Sequence, residues 1–128
     1  MRVAFLTDLH VCSAKLSGPG GQAEILGNLR EAVLSSHPDL VLVGGDLAGT
    51  TVPHRSSPEE RNALVELLAP LAEVTSVVVC RGNHDYPGDY DFLNRLRGNL
   101  FYVDASEFIC MPNAWGVMVL PWIDRSAL

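Results

Sequence analysis

The chain has 128 residues, 48% of them apolar, and its 15 acidic side chains outnumber 9 basic ones to give a formal charge of −6. That length supports one domain with a real core, and the acidic balance argues against a broad basic face for nucleic-acid backbone, which needs clustered Lys and Arg. No apolar run nears the roughly 20 residues of a membrane span, and Val3-Ala4-Phe5-Leu6 is too short and too soon followed by Asp8 and His10 to be a signal peptide. A cytoplasmic location without membrane contact is therefore expected. The cysteines, Cys12, Cys80 and Cys110, are odd in number and irregularly spaced, as reduced thiols are.

Arg2 to Thr7 is apolar at nearly every position and reads as a first strand buried on both faces. The Ser13 to Gly21 loop is punctuated by Ser17-Gly18-Pro19-Gly20-Gly21. A helix is predicted from Gln22 to Ser36, with Ile25 or Leu26, Leu29 and Val33 on its buried face, stopped by Pro38. His37, just before that proline, suits a helix C-terminus.

Leu40 to Val43 is a second buried strand, and Gly44-Gly45 lets the backbone turn so that Asp46 projects from its end. His54, in the loop beyond, reads as a surface residue, because nothing in Thr51-Val52-Pro53 fixes its direction. Ser57-Pro58-Glu59-Glu60 is a helix start: Ser57 caps, Pro58 takes the first position, and Glu60 completes a capping box. The helix carries Leu64, Leu67 and Leu68 on one stripe, and Pro70 is expected to end or kink it.

Val77 to Cys80 is the third strand, running into Gly82-Asn83-His84-Asp85. Asp89 or Asp91 caps a short helix through Phe92, Leu93 and Leu96 that ends near Gly98, and Leu100 to Val103 is a fourth strand. Glu107 to Met111 and Gly116 to Leu120 read as an antiparallel hairpin turning at Pro112-Asn113. The pairs Arg55/Arg61 and Arg95/Arg97 are too sparse to form a binding patch.

The resulting β-α-β-α-β order predicts an α/β fold, with helices packed on a mainly parallel sheet and ligands bound outside the carboxyl ends of its strands. Three polar clusters fall at those ends: Asp8-Leu9-His10, Gly44-Gly45-Asp46 and Gly82-Asn83-His84-Asp85. Asp46 lies 38 residues after Asp8 and Asn83 lies 37 after Asp46, about one strand-helix-strand unit of roughly 30 or more residues. Asp8 and His10 alternate around Leu9, so both can face one side, and a carboxylate with an imidazole suits manganese, iron or zinc. Asp46 is placed to bridge two cations and the Asn83 amide oxygen to hold the second. His84 then sits at the rim, where it can protonate a leaving oxygen, with Asp85 expected to hydrogen-bond it and fix its tautomer. Cys12 is given no ligand role, because hard divalent cations prefer oxygen and imidazole.

These motifs, in this order after successive strands, resemble the calcineurin-like metallophosphoesterases. His37 to Leu47, Val77 to Arg81 and Gly82-Asn83-His84-Asp85 look most like the SbcD-type DNA nuclease subunits, as does Leu120-Pro121-Trp122. The resemblance implies a metallophosphoesterase-like sandwich and a two-metal hydrolase, usually manganese-dependent, with Asp8, His10, Asp46 and Asn83 as ligands and His84 as the catalytic histidine. It also implies DNA or another phosphodiester as substrate, and an SbcC-like ATPase as partner.

The resemblance covers residues 1–128 as the N-terminal βαβαβ portion of the family domain. The family's later histidine and Gly-His-x-His motif have no counterpart, since no histidine follows His84, and Gly49 replaces a frequent acidic residue. A truncated domain ending at Asp124-Arg125-Ser126-Ala127-Leu128, a weak second metal site and self-association through an exposed sheet edge are the corresponding expectations. A phosphatase acting on small esters and a non-catalytic metal-binding module are the alternatives.

Overall fold

The computed structural model describes residues 1–50, 53–111 and 116–122. The turn expected at Pro112-Asn113, the residues Thr51 and Val52, and the Asp124 to Leu128 terminus lie outside the described residues. Four strands, β1 (Val3–Leu6), β2 (Leu40–Val43), β3 (Ser76–Cys80) and β4 (Leu100–Val103), form one parallel sheet in the order β1-β2-β3-β4. Helices α1 (Gln22–Ser35) and α2 (Pro58–Val74) make the crossovers and pack on one another. Strands β5 (Glu107–Cys110) and β6 (Gly116–Val119) pair antiparallel as a separate two-stranded sheet. Among the described residues no helix is long and apolar enough to cross a membrane.

Side-chain alternation along the strands makes three layers. Val41, Val43, Val77 and Val79 face the helices, where Leu64, Leu67, Leu68 and Leu71 of α2 are buried. Leu40, Leu42, Val78 and Cys80 face the hairpin, packing with Ile109, Met111, Val117 and Val119. The hairpin does not cover β1. Ala4 and Leu6 pack toward the helices, but Val3 and Phe5 on the other face are 41% and 65% exposed, so the expectation of a first strand buried on both faces is corrected: β1 is the sheet edge.

The capping box forms as read, with Ser57 Oγ accepting from the Glu60 amide and the Glu60 carboxylate accepting from the Ser57 amide. Pro70, in contrast, neither ends nor breaks α2, which continues to Val74. Proline at that position takes a hydrogen-bond donor away from the Glu66 carbonyl, and the Arg30 guanidinium of α1 donates to that carbonyl instead, at 3.0 Å. In α1, Leu26 and Val33 are the buried positions and Ile25 is exposed. His37 takes a left-handed backbone (φ 47°) and its amide donates to the Leu34 carbonyl, closing the helix end.

The predicted short helix is a 3-10 turn, Asp91–Arg95, with no side-chain cap. Asp89 is engaged elsewhere: its buried carboxylate accepts from the Ser56 amide and from Arg61.

Candidate metal centre

All three polar clusters lie at the carboxyl end of the parallel sheet. Beyond β1 and β2 the chains stay side by side: the amides of Asp8, His10 and Val11 donate to the carbonyls of Gly45, Asp46 and Leu47, and the Gly49 amide donates back to Val11. This pairing sets Asp8, His10 and Asp46 together. One ligand-type atom from each lies within 4.8 Å of the others, with His10 Nε2 at 3.8 Å from Asp8 Oδ1 and 4.0 Å from Asp46 Oδ2.

The backbone is bent to achieve this. Asp8, His10 and Asp46 have φ of 55°, 42° and 54°, in the left-handed region that non-glycine residues seldom occupy, with Asp and His among the better tolerated. Such conformations persist only where surrounding contacts enforce them. Gly45, at φ 95°, also brings the β2 and β3 loops into contact. A Cβ on Gly45 would lie 2.3 Å from the Gly82 nitrogen, and one on Gly82 would lie 2.2 Å from Asp46 Oδ1. That close approach lets the His84 amide donate to Asp46 Oδ1 at 3.0 Å, leaving Oδ2 directed at His10.

Gly49, read from sequence only as a missing acidic residue, has a positive part in the site. His10 Nδ1 lies 3.1 Å from the Gly49 carbonyl. A carbonyl only accepts, so Nδ1 carries the hydrogen and Nε2 presents its lone pair to the space between Asp8 and Asp46. The donor set therefore fits a divalent cation: two carboxylates, and an imidazole held in the ligating tautomer by a backbone oxygen.

His54 stands behind Gly49, whose Cβ would meet its ring at 2.0 Å. It is pinned there, against the expectation of an undirected surface residue, by Glu60 at 3.3 Å. Glu60 is 4% exposed and also accepts from the Ser13 amide. Burial pushes its carboxyl up, but the Ser57 and Ser13 amides and His54 outweigh that and hold it below the ordinary value. Sequence reasoning had read Glu60 only as a cap.

Asp85 requires a correction. Its carboxylate does not bond His84. It turns inward at 2% exposure and accepts from the amides of Asp46, Leu47 and Gly82, each at 2.8 Å. Burial raises its pKa, the three amides counter that only in part, and the neighbouring Asp46 charge raises it further. His84 Nδ1 is buried with no hydrogen-bond partner among the described residues, and its ring lies 5.4 Å from that of His10, edge to face.

Asn83 is exposed and lines, with Asp46, Leu120, Pro121 and Trp122, a 380 Å³ cavity. Cys80 also lines it, with a thiol pushed up by burial and by the Asp85 and Asp46 carboxylates, and so held protonated.

A search of curated proteins returned no match. The sequence profile of the calcineurin-like phosphoesterases (Metallophos) matches residues 1–122. That span takes in all three strand-end clusters and the hairpin that follows them, and the chain belongs to the calcineurin-like phosphoesterases, a family of phosphoester hydrolases.

Proposed function

We propose that the chain is a metal-dependent phosphodiesterase of the SbcD nuclease type, with DNA as substrate. The observation that carries the metal dependence is the convergence of Asp8, His10 and Asp46, with the His10 tautomer set by Gly49. The nuclease type is supported by the resemblance of the His37 to Leu47 and Gly82 to Asp85 segments.

In this reading Asp8, His10 and Asp46 hold one divalent cation, and Asp46 with Asn83 contributes to a second, manganese being the first candidate and iron or zinc the others. Bound there, the metals supply Lewis-acid polarisation of the phosphoryl group and a nucleophile at neutral pH. His84 is the proton donor to the leaving oxygen, supported by its place beside His10, with the two rings 5.4 Å apart. Asp85 is a positioning residue: it fixes the backbone of Asp46 and Gly82 and through them the ligand loops. An SbcC-like ATPase and a second copy of the chain remain the proposed protein partners.

The test is metal stoichiometry after manganese loading and desalting, followed by hydrolysis of single-stranded DNA and of simple mono- and diesters. Asp46→Asn is the control, since the amide oxygen can keep the His84 contact while the charge is lost. Bound manganese that is lost in Asp46→Asn, with manganese-dependent DNA cleavage lost in His84→Ala, is the expected result. A preference for monoesters would replace the nuclease reading by a small-ester phosphatase, a reading that the −6 charge favours. Metal binding without hydrolysis of any ester would leave a non-catalytic module.

A further inference from the structure

We propose that Trp122 is a stacking platform that gives the site its preference for phosphate esters bearing a planar aromatic group, a nucleobase above all. The proposal rests on the phosphoesterase reading and names the part of the substrate that the metal ligands do not address.

Trp122 is 53% exposed, although an indole is among the side chains with most to gain from burial. It lines the same 380 Å³ cavity as Asp46 and Asn83, a volume within the range of small-ligand pockets, about 300–1,000 Å³. A proposed metal ligand, Asp46, and an exposed indole lining one cavity supply the two recognition elements a nucleotide needs, one for its phosphate and one for its base. Stacking tolerates any base, because every base presents a π-face.

The platform is also fixed relative to the ligand loop. The Trp122 amide donates to the Arg81 carbonyl at 3.1 Å, and Arg81 Nη2 donates to the Trp122 carbonyl at 2.9 Å. Arg81 is itself held by an ion pair with Asp104, and it immediately precedes Gly82-Asn83. Pro121 is buried beneath. These contacts use backbone atoms of Trp122, so its side chain contributes nothing to them, and among the described residues it makes no hydrogen bond.

The experiment is equilibrium binding to the full chain by titration calorimetry, with and without manganese, using inorganic phosphate and thymidine 5′-monophosphate as the two ligands. Wild type is expected to bind the nucleotide more tightly than phosphate. Trp122→Ala should lose about tenfold in nucleotide affinity, as removal of a base-stacking aromatic does, and Trp122→Phe should retain most of it. Phosphate affinity should be the same in all three, which also shows that the variants are folded.

If wild type binds both ligands equally, or Trp122→Ala weakens both alike, the platform is refuted while the phosphoesterase reading stands. If manganese brings no phosphate binding in wild type, the metal-site reading fails. Nucleotide affinity that still depended on Trp122 would then leave the platform as a base-binding site alone.

Discussion

Gly45 and Gly82 stand face to face at the ends of β2 and β3, so close that a side chain on either would enter the backbone of the other loop. The hydrogen bond between the His84 amide and Asp46 depends on that approach. Gly82→Ala should therefore destabilise the metal-free fold by about 1–3 kcal/mol, as overpacking does, and should weaken manganese binding as well. Gly27→Ala is the internal contrast, because Gly27 lies within α1 with nothing within 4 Å of its would-be Cβ. It should stabilise by about 0.5–1 kcal/mol. Urea unfolding of the two variants checks both signs.

Asp85 offers both oxygens to three amide donors. An asparagine there would turn an N–H₂ toward at least one of them, leaving a buried donor unmet. Asp85→Asn is expected to lose about 1–3 kcal/mol of stability. Metal affinity should fall with it, since the anchored amides belong to Asp46 and its neighbours. Denaturant unfolding with a parallel manganese titration measures the two effects. Unchanged stability would remove Asp85 from this positioning role.

The Glu60 carboxyl is held below its ordinary 4.5 in the folded protein, so the folded state binds its proton less readily than the unfolded chain does. Its contribution to stability is fully present above 4.5 and is lost as pH falls through the lower folded value. The stability gap between wild type and Glu60→Gln should close as pH falls below 4.5. Urea unfolding across that acid range tests it, and a gap that persists at the acid end would mean the charge is not what matters.

Arg30 and Pro70 should couple. Arg30 donates to the Glu66 carbonyl that Pro70 cannot serve, so Arg30→Ala is expected to cost about 1 kcal/mol in wild type. In a Pro70→Ala background the helix supplies its own donor and the same truncation should cost distinctly less. A double-mutant cycle by denaturant unfolding reads this directly, and additive losses would contradict it.

How much of this was legible in the sequence follows from the range of each interaction. The Ser57 to Glu60 capping box is closed within four residues, and the strand-end clusters recur at the spacing of a crossover, so both could be read. The continuation of α2 past Pro70 could not, because its compensation comes from Arg30 on another helix. The apolar run of β1 has the same pattern whether the strand is central or at an edge, and only the placement of the hairpin exposes Phe5.

Asp85 was assigned to its sequence neighbour His84, but a buried carboxylate goes where unpaired amides are, and those belong mainly to the loop after β2. Gly49 gave no signal at all as a single letter: its contribution is a carbonyl, which every residue has, aimed by a backbone angle that glycine favours.

The left-handed conformations of Asp8, His10 and Asp46 also bear on which chemistries the scaffold will accept. Asn, Asp and His are the side chains most at ease in that region, so the backbone selects ligand identity before any ion arrives. Exchanging Asp8 or Asp46 for glutamate, or His10 for cysteine, sets the torsional preference of the new residue against the bend that aims it. Retuning this centre toward a softer metal would thus begin with the loops and not with the ligands.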